Sequence, residues 1–157
     1  MEKIIIASLT ENGIIGQGNS LPWELPDEMK HFKDTTLNSA VLMGRRTFDS
    51  LKRPLHNRLN IVLTSYLEQE SKDVKFAASI KEGFEIAENF NFERLFIIGG
   101  ESVYKQTIPI IDKMILSFVH GSFVGDKFFP IEMINNFMLE KSQDKESFTI
   151  KYYRKNR

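Results

Sequence analysis

One acid of this 157-residue chain stands apart from the others. In NSLPWELPDEMKHF, residues 19–32, Pro26 suits the first turn of a helix running to about Thr36, and Asp27 and Glu28 favour its N-terminal dipole. At about 100° per residue, Leu25, Glu28, Met29, Phe32 and Thr36 share one arc. Asp27, Lys30, His31 and Asp34 share the other. Glu28 is then the single charged residue on the apolar side, where an ionised carboxylate is costly without a donor. Burial raises its pKa, and a donor-rich ligand lowers it again. Taken locally, capping the helix or pairing with a distant lysine explains such an acid. Its neighbours favour a second role. Phe32 one turn on, and a glycine-rich loop just before, suit a flat, nitrogen-rich heterocycle whose N–H groups donate to the carboxylate. Trp23, the only tryptophan, is either a core anchor or, held between Pro22 and Pro26, one wall of that pocket.

Two stretches carry phosphate chemistry. VLMGRRTF (41–48) and FIIGGESVY (96–104) each end an apolar strand in glycine and turn straight into a helix. Glycine lets backbone approach a ligand closely, and the free N–H groups of a helix start favour an anion. Every α/β fold needs such turns, but two in one small sheet fit the two ends of a dinucleotide. Neither is a GxGxxG or a P-loop, so a standard Rossmann or Walker site is not supported. Arg45 and Arg46 alone read as a solvated pair; beside Gly44 a phosphate clamp is the better reading. Thr64 and Ser65 end the next strand and can add hydroxyls. Two arginines near a ribose favour NADPH over NADH. For Gly99-Gly100, a tight turn without ligand is an equal alternative.

Elements that can position these groups follow from the apolar pattern. KIIIASL (3–9) reads as a strand buried on both faces, and TENGIIGQGNS after it as a mobile loop. Further strands are expected at 40–43, 59–65, 74–77, 94–98 and 113–120. Helices are expected at 46–51, 79–89 and 101–108, the second opened by a Ser79–Glu82 capping box. In SFTIKYYRK, Phe148, Ile150 and Tyr152 alternate with polar residues, as in an antiparallel or edge strand. Residues 120–146 give no clear element. The pattern predicts one α/β domain over 1–157, a sandwich with a mostly parallel sheet and an antiparallel C-terminal strand.

Composition narrows the partners. Hydrophobic residues make up 41% and charged residues 27%, as in soluble globular proteins. Twenty-one basic residues balance 21 acidic ones, so there is no footprint for nucleic acid or an anionic membrane. The absence of cysteine excludes disulfides and thiolate metal sites. IIIASL is too short to span a bilayer and lacks a cleavage pattern, so a cytoplasmic protein is the simplest expectation.

GIIGQGNSLPW (13–23), LPDEMKHFK (25–33), VLMGRRTFDSL (41–51), RPLHNRLNIVLTS (53–65), FIIGGESVY (96–104) and GDKFFP (125–130) occur in this order. With them the chain resembles the bacterial chromosomal type of dihydrofolate reductase over essentially its whole length. The resemblance implies a three-layer sandwich and NADPH-dependent reduction of 7,8-dihydrofolate to tetrahydrofolate, in support of one-carbon metabolism and thymidylate synthesis. Hydride would pass to pterin C6, and N5 would be protonated with the help of water.

By position, Glu28 matches the family's active-site acid, and Trp23 the tryptophan that helps order water beside it. Ile6, Ala7, Phe32, Leu51 and Leu55 match the apolar walls, Arg58 the arginine for the glutamyl α-carboxylate, and Ser117 a threonine bonded to the acid. On the cofactor side, Ala7, Ile15, Gly44, Arg45, Arg46, Thr47, Thr64, Ser65, Gly99, Gly100, Glu101, Ser102, Val103 and Tyr104 match. Gly99-Gly100 resembles the family's cis Gly-Gly link. The resemblance also implies antifolate inhibitors as ligands, a monomer, and no metal.

Three positions depart from the pattern. Glu28 stands where bacterial members usually have aspartate, moving the carboxylate by about one C–C bond. Phe48 replaces a frequent tryptophan, and Ser102 stands where several members have arginine, which throws adenosine-side binding onto Arg45 and Arg46. Pyrimidine reductases of riboflavin synthesis would lack the LPW-x-LP-x-E/D pattern, and a non-catalytic nucleotide-binding module would be expected to lose the acid or the second junction.

Overall fold

Alternate side chains of the first strand, β1 (Glu2–Thr10), serve two separate cores, as a strand covered on both faces must. Ile5, Ala7 and Leu9 enter one core, Ile4 and Ile6 the other. The computed structural model describes residues 1–18, 20–66 and 68–156. After β1 come β2 (Ile14–Gly16), α1 (Pro26–Thr36), β3 (Ala40–Gly44), α2 (Arg45–Ser50), β4 (Leu59–Leu63) and β5 (Val74–Ala77). Then follow α3 (Ile80–Asn89), β6 (Arg94–Ile97), α4 (Glu101–Thr107), β7 (Lys113–Val119), β8 (Lys127–Phe128), β9 (Phe137–Asp144) and β10 (Phe148–Lys155).

Eight strands form one sheet in the order β5-β4-β3-β6-β1-β7-β10-β9, and β2 pairs with β8 apart from it. Pairing is parallel from β5 through β7, then antiparallel at β7–β10 and β10–β9. Phe32 of α1 and Phe48 of α2 cover one face; Ala87 of α3 with Val103 and Tyr104 of α4 cover the other. The result is the expected three-layer α/β sandwich.

Several details differ from the sequence expectation. The sheet ends in two antiparallel strands, and β10 lies inside it with β9 at the edge. Nearly all of β9 after Phe137 is exposed on both faces, so it has no apolar alternation to betray it. The buried seam of α1 is rotated: Met29 is 56% exposed, whereas His31 and Thr35 are half-buried beside Glu28, Phe32 and Thr36. Too few apolar residues mark this helix for periodicity to fix the centre of its arc. β4 stops at Leu63 and leaves Thr64 and Ser65 in the following turn. At α3, Ser79 Oγ accepts from the Glu82 N–H, while the Glu82 carboxylate reaches back to the Ala78 N–H, one residue beyond the expected cap.

A buried amide organises the segment that carries two of the expected site residues. Asn60, fully buried on β4, accepts from the Leu55 N–H at 3.0 Å. Its Nδ2 group donates to the carbonyls of Leu55, Arg58 and Asp73 at 3.0–3.2 Å. Asn60→Leu keeps the shape roughly but strips these partners, and unsatisfied buried groups cost about 1–3 kcal/mol each. The variant is expected to lose about 3 kcal/mol in urea denaturation; an unchanged midpoint would show that the hub is dispensable.

Candidate active site

β3 and β6 are parallel neighbours whose chains leave the sheet on opposite faces, one into α2 and the other into α4. A crevice opens beyond the carboxyl ends of strands at such a switch point. The two glycine turns meet there, the Gly44 N–H donating to the Gly99 carbonyl at 2.9 Å. A Cβ on Gly44 would press on Val103 Cγ2 at 3.2 Å, and one on Gly100 would lie 3.5 Å from Thr47 Oγ1. Gly99 has a φ of +114°, and its missing side chain leaves room for the Tyr104 ring. The Gly99-Gly100 peptide is cis. α2 and α4 have only six and seven residues, so few peptide dipoles add up along them. What this crevice offers an anion is close backbone approach and side-chain charge.

The expected phosphate groups are unequally placed. Arg45 Nε donates to Asp49 Oδ1 at 3.0 Å, Nη1 lies 2.5 Å from Glu68 Oε1, and the guanidinium sits over the Phe48 ring. Glu68 first, and then Asp49, raise its pKa further. Arg46 is exposed and has no ion-pair partner among the described residues. Thr64 Oγ1 accepts from the Tyr66 N–H at 3.2 Å, and Ser65 is exposed. Ser102 Oγ is taken up by Gln106 at 2.8 Å, and the Glu101 carboxylate by the Phe128 N–H. Val103 is core.

The acid lies across β1 from this crevice. Glu28 is 7% exposed, and burial raises its pKa. The Ser117 hydroxyl is close enough to oppose that shift, yet its Oγ, out of water, forms no aligned hydrogen bond with any described group. Ser117 on β7 is the register partner of Ser8 on β1. Trp23 Nε1 donates to Ser8 Oγ at 3.1 Å, and its ring meets Phe123 edge-on at 5.2 Å. The donor expected to order a water is therefore committed to Ser8. Sequence reading passed over this serine, although position 8 is the polar member of the face formed by Ile4 and Ile6.

Ile6, Phe32, Leu51 and Leu55 join one apolar cluster, together with Ile98 and Ile115. Ala7 and Ile15 belong instead to the opposite core, so the Ala7 methyl is not part of that wall. Arg58 is 7% exposed; its Nε donates to the His56 carbonyl and its Nη1 to Thr36 Oγ1 at 3.2 Å. Burial lowers its pKa, and no described carboxylate pairs with it. On the other side, the Tyr104 hydroxyl donates to the Ile6 carbonyl at 2.9 Å, and burial, then the Glu28 charge, push its pKa up.

The segment expected as a plain loop carries a short ladder. β2 pairs with β8, the Asp126 N–H donates to the Gly16 carbonyl, and Asp126 Oδ1 accepts from the Gly18 N–H at 2.8 Å. Gly125 packs so tightly here that a Cβ would collide with Ile14 and with the Gly16 carbonyl. Asn19, within the same motif, lies outside the described residues.

The family model described as dihydrofolate reductase matches residues 3–155. Dihydrofolate reductase of Mycoplasma genitalium is 35% identical, covering 97% of this chain and 97% of its own. The Bacillus subtilis enzyme is 36% identical over 88% of this chain and 81% of its own. Enterococcus faecalis dihydrofolate reductase, solved with NADP(H) and RAB-propyl, superposes with a TM-score of 0.88 at 31% identity. The match covers 99% of this chain and 97% of that one.

The Glu28 shift has a consequence for stability. Its pKa is higher in the folded than in the unfolded chain, so the native state holds a proton that the unfolded state releases first. That contribution is full below about 4.5 and is lost as pH rises through the folded value. Glu28→Gln in the ligand-free protein is expected to resist urea better than the parent at neutral pH. The advantage should vanish under acid conditions, and a pH-independent difference would contradict the burial argument.

Proposed function

This chain belongs to the dihydrofolate reductase family, and from that premise we propose how its residues divide the work. The reaction is NADPH-dependent reduction of dihydrofolate to tetrahydrofolate. The cofactor supplies the hydride when bound. Its fit rests on bare backbone at Gly44 and Gly100 with the Thr47 hydroxyl beside it, and on Arg45 at the start of the helix that follows Gly44.

Glu28 carries the substrate assignment. Among the described residues, the Ser117 hydroxyl is the one group that offsets burial of the Glu28 carboxylate, and it does so only in part. The amino and ring N–H groups of a pterin supply further donors, which fixes the ring against Phe32 and the Ile6–Leu51–Leu55 wall. Glu28 then orients and polarises the ring while a water delivers the proton to N5. Trp23, held by Ser8 and Phe123, closes the side of the pocket and limits how much water enters. Arg58, pre-oriented by Thr36, takes the glutamyl α-carboxylate, since a buried guanidinium without an acid partner calls for an anion. Antifolates with a similar donor edge compete for Glu28.

Residues 10–24 act as a lid over the nicotinamide end, latched through β8. One domain, 1–157, holds both binding regions, so a monomer suffices. None of the described helices is long and apolar enough to cross a membrane, which agrees with work in the cytoplasm.

Absorbance at the NADPH band tests the assignment. Loss of signal should require dihydrofolate; loss without it, or no loss at all, would refute the assignment. Glu28→Gln should lower turnover at neutral pH by about 10²–10⁴-fold while nucleotide binding persists. An unaltered rate would remove Glu28 from the chemistry. Gly125→Ala should part β2 from β8, seen as faster amide exchange over 14–18 together with a lower kcat. Unchanged exchange would leave the latch without support.

A further inference from the structure

Arg45, one of the two arginines read as a phosphate clamp, already has two carboxylates around its guanidinium. Asp49 lies one turn further along α2 and accepts from Arg45 Nε at 3.0 Å, a contact within one helix. Glu68 comes from the segment between β4 and β5, with Oε1 2.5 Å from Nη1. This second contact is close but off-axis: Nη1 is out of water, yet no acceptor among the described residues is aligned with it. Charge attraction is the main tie between the two.

The acid-bearing segment is fastened to the same surface. Glu70 Oε2 accepts from the Phe76 N–H at 2.8 Å, and the Ser71 N–H donates to the Val74 carbonyl at 3.1 Å. The Phe76 ring meets Phe48 edge-on at 6.3 Å, and Arg45 lies over Phe48 at 6.0 Å. Glu68 is thereby held beside Arg45 by anchors that do not depend on the ion pair.

We propose that Glu68 is a specificity-determining counter-ion: it occupies the edge of Arg45 that a 2′-phosphate takes, and NADPH must displace it. The inference rests on the cofactor reading given above. Phosphate oxygens meet a guanidinium fork with paired, charge-assisted hydrogen bonds, whereas Glu68 reaches it through one oxygen at Nη1. Asp49 engages Nε and keeps the side chain oriented throughout. A nucleotide without the 2′-phosphate leaves the Arg45–Glu68 pair intact and gains nothing from its removal. Glu68 thus lowers affinity for NADPH selectively and narrows the margin over NADH. Both partners are partly exposed, so the effect is modest and is screened by salt.

Calorimetric titration of Glu68→Gln with 2′,5′-ADP and with 5′-ADP tests this. The variant should bind 2′,5′-ADP about two- to fivefold tighter than the parent at low ionic strength. The gain should shrink at high salt, and 5′-ADP affinity should stay the same. Equal tightening of both nucleotides, or none for 2′,5′-ADP, overturns the inference. A parent protein with no preference for 2′,5′-ADP would overturn the underlying cofactor reading as well, an outcome visible before any variant is made.

Discussion

A carboxylate without an aligned donor, set under a helix and out of water, is the constraint that orders the rest of the molecule. Leaving Glu28 ionised there is unfavourable, and the Ser117 hydroxyl offsets only part of that cost. The chain tolerates the arrangement because α1 is seated firmly: Thr36 bonds back to the Phe32 carbonyl and also receives Arg58. The helix that holds the acid in place therefore also holds the Arg58 cation, through Thr36. The substrate proposed above, with donors at one end and a carboxylate at the other, would complement both groups at once.

Nucleotide crevice and acid pocket are joined through a few short links. Tyr104 stands on α4 behind the second glycine turn, and its hydroxyl donates to the carbonyl of Ile6, whose side chain belongs to the apolar cluster proposed as the pterin wall. The Gly44–Gly99 hydrogen bond sets the two turns side by side. Through these contacts the relative placement of the two proposed binding regions is set mainly by backbone, which is stiffer than any pair of surface side chains.

How much of this was legible depended on whether burial left a periodic trace. The parallel strands were, because a strand covered on both faces reads as an unbroken apolar run, as at Ile4–Ile6 and Val41–Met43. Glu28 was visible as a charge on the wrong face. β9 was not, since Met138 to Ser142 face solvent and carry no pattern. Met29 was misassigned because α1 has few apolar residues to mark its seam. The distant partners of Trp23 and Arg45 could not be read at all: Ser8 and Phe123, and likewise Glu68, meet them only through the fold. Long-range pairs between polar residues leave no local signature.

The position of Trp23 has an optical consequence. It is the only indole in the chain, it is buried, its N–H is engaged by Ser8, and Phe123 lies against its ring. Intrinsic emission excited on the red edge therefore arises from one fluorophore at the mouth of the acid pocket, with no second indole to dilute it. Spectral shift, quenching and energy transfer to a bound dihydronicotinamide all report from that single point. The molecule carries its own probe beside the region proposed for its two ligands.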